Sequence, residues 1–294
     1  MMKKSATTIE QQIEILRSRG MIISDDEKAK EVLSDIGYYR LCFYTFPFEK
    51  SYPNLNNRTH EFIEGTKFED IVALYYFDFD LRKILVPYLT RIEVAFRTAM
   101  TYYISNKYIS DPKWFVNKSV VNPDYVRTFR REVYKELLRT CPTLQRHHKK
   151  YPSDRYAPAW KTIEMMMFGK VVYLYKDLIW NDDQRLISKR FNINQASTFL
   201  SYIDTARMVR NACAHGLVLF DYRLPMSISK GPIGTLAGEE RHNLSGMLKV
   251  ITYLLGQVSE NRVIDMQQEI EQAKQILQEK SLFAYKKMQK IAGF

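Results

Sequence analysis

Apolar residues recur at three- and four-residue spacing along nearly the whole chain, the period of helices that bury one face. Ile9, Ile13 and Leu16 share such a face, and Gly20 can end that helix. Val32, Leu33 and Ile36 form a second stripe before Gly37, and Tyr38–Tyr44 reads as a further helical piece ending near Pro47. Thr7 to Glu10, Ser24 to Glu27 and Thr66 to Glu69 match the capping box, in which a hydroxyl and a carboxylate satisfy each other's backbone donors. Residues 49–65 read as a polar loop. A long helix is predicted from Phe68 towards Tyr108, kinked at Pro87. Asn122-Pro123-Asp124 opens another, with a cap and then proline in the first turn, running to about Arg139. Residues 141–158, with three prolines, read as a basic connector. Helices follow from Ala157 through Trp180 and from Asn194 to Gly216, then a loop over 221–239 rich in glycine and proline. Two last helices are predicted at about 240–258 and 261–291. Short strands could form at 225–229, but the fold class is all-α.

Composition agrees with one large helical body or two ordinary ones. The chain has 294 residues, 46% apolar and 13% aromatic, with only 11 glycines and 10 prolines, which excludes collagenous, low-complexity and most loop-rich β architectures. Cys42, Cys141 and Cys213 are odd in number and form no CxxC pair, so neither a disulfide framework nor a cysteine zinc site is expected. The start, Met1-Met2-Lys3-Lys4-Ser5, leads into polar residues and reads as no signal peptide. The longest apolar run, Ile71–Phe77, is far short of the roughly 20 residues a membrane span needs. A cytoplasmic protein without a membrane anchor is expected. The net charge of +11 favours an anionic partner, and nucleic acid is the commonest one.

The candidate chemistry centres on Arg210-Asn211-Ala212-Cys213-Ala214-His215-Gly216. Arg-x4-His alone is weak, since with four to six intervening residues allowed, arginine and histidine usage in this chain supplies about one match by chance. Its place at a helix C-terminus, with small residues between, adds weight. Metal-free RNA cleavage needs a base for the 2′-hydroxyl, an acid for the leaving 5′-oxygen and positive charge on the phosphorane. Histidine titrates in the right range, and arginine makes bidentate phosphate contacts. On an ideal helix Arg210 and His215 lie about 140° apart, whereas Asn211 and His215 share a face. The same residues could equally be a helix-ending histidine and an arginine in an internal salt bridge.

Arg210–His215 resembles the RNxxAH-type signature of HEPN-domain ribonucleases. The chain more broadly resembles the Abi-like family, the AbiD/AbiF group of bacterial abortive-infection proteins. The resemblance is carried in order by Ile36-Gly37-Tyr38-Tyr39-Arg40-Leu41, Phe68-Glu69-Asp70-Ile71, Leu74-Tyr75-Tyr76-Phe77-Asp78, Leu81-Arg82 and Arg91–Arg97. Trp160 with Glu164, Phe168-Gly169 and Leu174-Tyr175 continue it. It implies a HEPN-type helical bundle and phage defence. It also implies, for the AbiF group, a structured noncoding RNA partner. Arg210 and His215 would carry metal-independent endoribonuclease chemistry with Asn211 orienting them, leaving a 2′,3′-cyclic phosphate and a 5′-hydroxyl. Gly216 stands where family members often carry a second histidine or another polar residue. No other histidine has an arginine five to seven positions before it, so a composite cleft needs two chains, and a homodimer is expected. The rival reading is a non-catalytic scaffold for a noncoding RNA or a toxin–antitoxin complex.

Three other features bear on function. Glu93 and Arg97, and Asp78 and Arg82, are i, i+4 pairs that ordinarily only support a helix. Glu93, Arg97 and Glu164 could instead support the motif from behind. Residues 123–156 carry Arg127, Arg130, Arg131, Arg139, Arg146, Lys149, Lys150 and Arg155, interleaved with Tyr125, Phe129, Tyr134, Tyr151 and Tyr156. The cations suit phosphates and exposed tyrosines could stack on bases, unless the rings are core. His147-His148 lacks a completing ligand cluster, so no metal is expected, and no motif implies a cofactor. The C-terminal helix, with Lys274, Lys280, Lys286, Lys287 and Lys290, reads as an amphipathic strut with a basic outer face. The expected organisation is an N-terminal helical region over 1–65, a HEPN-like core over 66–260 containing the basic segment, and a C-terminal helix over 261–294.

Overall fold

The computed structural model describes residues 5–294; Met1–Lys4, on which part of the leader reading rested, lie outside the described residues. The helices are α1 (Ile9–Ser18), α2 (Asp26–Ile36), α3 (Tyr38–Thr45), α4 (Phe68–Lys107), α5 (Pro123–Phe129), α6 (Lys135–Thr140), α7 (Pro142–Lys150) and α8 (Ala159–Met165). They continue with α9 (Phe168–Lys176), α10 (Asn181–Arg190), α11 (Ala196–Ala214), α12 (Leu244–Gly256), α13 (Glu260–Lys280) and α14 (Leu282–Ala292). Among the described residues, pairing outside helices is limited to isolated bridges such as Ile22–Lys67, and no strand forms at 225–229.

The axis of the fold is α4, 40 residues long and so about 60 Å from end to end. Ile71, Leu74, Leu81, Leu85, Leu89, Ile92, Phe96, Met100 and Ile104 along it are fully buried. Each contributes roughly 1.5–3 kcal/mol of burial, against α11 on one side and α13 on another. That packing carries the helix through Pro87, whose ring lies on the exposed face.

Local details depart from the sequence pattern for physical reasons. The first two N-caps sit one residue later than expected. Thr8 pairs with Gln11, each accepting from the other's backbone N–H, and Asp25 accepts from Lys28. At α4 Asp70 accepts the Lys67 N–H at 2.9 Å, while Thr66 turns its hydroxyl to the Ile63 carbonyl. Cap residues stand in adjacent pairs here, and burial of the apolar stripe selects between the registers. The basic connector is partly wrong: Pro142 begins α7 rather than breaking the chain, because a first-turn proline lacks only an N–H that the helix does not use. The helix expected through Trp180 breaks at Met166-Met167, and the one expected over 261–291 breaks at Ser281. Ser281 Oγ caps the Ala284 N–H and donates to Asp70 Oδ1 at 2.6 Å, tying α14 to the start of α4. The helix beginning at Pro123 passes through a π turn, Arg130–Tyr134, between α5 and α6.

Candidate functional site

The motif sits at the C-terminal end of α11. Ala212 and Cys213 are buried against the core, and burial pushes the Cys213 thiol up to about 12. His215 is the C-cap, and Gly216 follows at φ +63°. The Leu217 N–H reaches the Ala212 carbonyl and the Gly216 N–H the Cys213 carbonyl, the paired bonds of a Schellman ending. Gly216 therefore has a structural reason: the left-handed residue that ends this helix favours glycine. The exposed His215 side chain leaves the helix at this turn.

Arg210 is partly exposed, and its Nε lies 3.5 Å from Glu93 Oε2. The other oxygen of Glu93 accepts from Arg97 Nη2 at 2.6 Å. Arg97 Nη2 also donates to the Met166 carbonyl, which the break between α8 and α9 leaves free. Arg210 Nη1 is 3.4 Å from Asn211 Oδ1. One buried carboxylate thus stands between two guanidiniums, a local excess of positive charge at the motif. Glu93 and Arg97 both lie behind Arg210. The Glu164 side chain is exposed on α8 and makes no ion pair among the described residues.

A second network fixes the chain just after His215. Arg40 on α3 donates to the Gly216 carbonyl. Arg82 on α4 donates to the Leu217 carbonyl at 3.0 Å and pairs with Asp78. Asp78 Oδ1 accepts the N–H groups of Leu219 and Phe220, both at 2.8 Å, and its Oδ2 accepts from Tyr44. Burial pushes the Asp78 carboxyl up, opposed by Arg82 and these donors. Tyr52 adds contacts of 3.3 Å to Asp221. Spacing alone read Asp78 and Arg82 only as a helix pair and gave Tyr44 and Arg40 no role. The available signal was that these residues include a buried acid and arginine on an otherwise apolar face.

The basic segment divides cleanly. Arg127, Arg130, Arg131, Arg139, Arg146, Lys149, Lys150 and Arg155 are all exposed. Arg127, Arg131 and Arg139 pair with Asp124, Glu132 and Glu136. Most of the aromatics are core instead: Phe129 and Tyr156 pack with Phe115, Tyr134 packs on Tyr156, and Tyr125 is half-buried. Of the five, Tyr151 alone is exposed, and packing takes Phe129, Tyr134 and Tyr156 out of reach of a base. His147 is buried, with Nε2 3.1 Å from Asp154, and His148 Nε2 is 2.7 Å from the Tyr134 hydroxyl. Among the described residues no group of three metal-ligating side chains converges, and no helix is long and apolar enough to cross a membrane.

Neither a curated protein nor a solved structure matches the chain. A family model does, that of the Abi-like proteins, over residues 31–221. The matched span begins within α2, takes in α4 and the residues that brace the motif, and ends at Asp221. This covers well over half of the sequence, and the chain belongs to the Abi-like protein family.

Proposed function

We propose that this Abi-like protein acts in abortive infection, the bacterial defence against phage, as a cytoplasmic, metal-independent endoribonuclease of HEPN type bound to a structured noncoding RNA. One observation carries the reading. Arg210 and His215 both reach solvent at one end of α11, with Arg210 braced on buried Glu93. In this reading Arg210 holds the scissile phosphate and His215 moves a proton at the 2′-hydroxyl or the leaving oxygen. Asn211 steadies Arg210, and Glu93 and Arg97 fix it from behind. The products carry a 2′,3′-cyclic phosphate and a 5′-hydroxyl. The exposed cations from Arg127 to Arg155, together with the net charge of +11, support RNA as the partner.

Each chain supplies one Arg–His pair, and the proposal takes two chains to complete a cleft. An exposed stripe of Tyr76, Phe79, Val86, Thr90, Val94 and Tyr102 along α4 supports this. It runs for about 39 Å and lies within about 100° of Glu93 at Thr90 and Val94, so a second copy seated there would adjoin the motif. A strictly monomeric particle that still cleaves RNA would sink the homodimer.

The scaffold reading has its own support. Glu93 and Asn211 already partner Arg210, and the His215 imidazole makes no hydrogen bond among the described residues. The test is to purify the protein and His215→Ala from a native host background and sequence the RNA that co-purifies. Fragments shortened only with the intact histidine support the nuclease. One defined RNA, identical in both, supports the scaffold. Absence of RNA contradicts both.

A further inference from the structure

A cleft of about 370 Å³ runs alongside α11 beside the motif, within the size range of small-molecule sites. Tyr173 and Lys176 of α9, Asp204 and Arg207 of α11, and Met226 and Ser227 of the segment after it line the cleft. Arg207 Nε donates to Asp204 Oδ1 at 2.6 Å. Among the described residues no other side-chain hydrogen bond engages this pair, which leaves Asp204 Oδ2 as an acceptor and both Arg207 Nη groups as donors. The pair is held rather than loose. A Cβ on Gly169 would lie 3.5 Å from Arg207 Cδ, so the first turn of α9 rests directly on the arginine stem. Tyr173 is 50% exposed and Met226 74%, leaving a ring face and a thioether open at the mouth.

We infer that this cleft binds a guanine base of the RNA next to the cut, an assignment that rests on the nuclease reading for its ligand but not for its geometry. Guanine presents an acceptor, O6, beside two adjacent donors, N1–H and N2–H2. The guanidinium of Arg207 matches the first, and the free oxygen of Asp204 the other two. Adenine and cytosine offer the carboxylate one donor group, and uracil turns a carbonyl towards it. Tyr173 supplies a stacking face. Arg207 lies three residues before Arg210, one turn of the same helix. A strand whose phosphate meets Arg210 therefore lays a neighbouring nucleotide over Arg207.

The test is calorimetric titration of the full chain with guanosine 3′-monophosphate and, separately, its adenosine, cytidine and uridine counterparts. The expected result is guanosine binding at least tenfold tighter than the rest. Asp204→Asn should erase that preference, Tyr173→Ala should weaken all binding about tenfold, and Tyr173→Phe should restore it. Thermal melts confirm that each variant is folded. Equal affinity for all four nucleotides, no guanosine binding at millimolar concentration, or a folded Asp204→Asn that keeps the preference each overturns the subsite. Guanosine binding by a protein that cleaves no RNA would keep the subsite and remove the nuclease. Cleavage by a protein without guanosine preference would do the reverse.

Discussion

Arg210 Nε stands 3.5 Å from Glu93 Oε2, and the same carboxylate holds Arg97 at 2.6 Å through its other oxygen. A partly exposed arginine at the motif is thus steered by a buried acid on the central helix. Glu93→Gln removes the charge that two guanidiniums share. We expect a loss of about 3 kcal/mol in chemical unfolding, because a buried cation is left uncompensated. Arg210→Ala should cost under about 1 kcal/mol, since that side chain is partly solvated, while RNA cleavage falls at least about a hundredfold. Equal destabilisation by both substitutions would contradict this division of roles.

Asp78 is the anchor of the segment after His215. It is buried, accepts two backbone N–H groups and pairs with Arg82. Asp78→Asn should destabilise by roughly 3–5 kcal/mol and speed amide exchange at Leu219 and Phe220. Unchanged exchange at those two amides would show that other contacts hold the segment.

Acid should weaken the protein through His147. Its folded pKa is depressed by burial below the ordinary histidine value, with Lys161 and His148 adding to the depression and Asp154 opposing it. The unfolded chain therefore takes up the proton first as pH falls. The stability tied to neutral His147 is present above its unfolded pKa and lost on acidification through its folded one. Stability measured from pH 7.5 to 5 should fall, and more steeply than in His147→Gln. Parallel curves would contradict the burial argument.

Replacing Arg127, Arg130 and Arg131 together by alanine should leave melting nearly unchanged, because all three are exposed. RNA affinity should drop, and the dependence of log K on log salt should flatten by roughly two to three units if each contacts one phosphate. An unaltered slope would move the RNA to another surface.

The helical class was legible because stripes such as Leu81, Leu85 and Ile92 recur at the helical period, and burial of those stripes is what α4 is made of. The ends of elements were less legible. Thr7-Thr8 and Ser24-Asp25 each offer two caps, and only packing chooses between them. Breaks at Met166 and Ser281 are set by distant partners, Arg97 and Asp70, which no local pattern contains. Within the site, the i, i+4 spacing showed Glu93 and Arg97 as a helix pair and left their support of the motif as one of two readings, since spacing along one helix does not say which arginine of another packs against it. The bracing of residues 216–220 by Arg40, Arg82 and Asp78 was not legible, since it joins backbone atoms to side chains more than 130 positions away. Packing within residues 115–156 withdrew Phe129, Tyr134 and Tyr156 from the surface.

The most direct test incubates the intact protein and His215→Ala with RNA in excess chelator and examines the new ends. His215 is exposed, so the substitution should leave the fold within about 0.5 kcal/mol. The account predicts cleavage by the intact protein only, with 2′,3′-cyclic phosphate and 5′-hydroxyl termini. Equal cleavage by both proteins, or cleavage that the chelator abolishes, would contradict it.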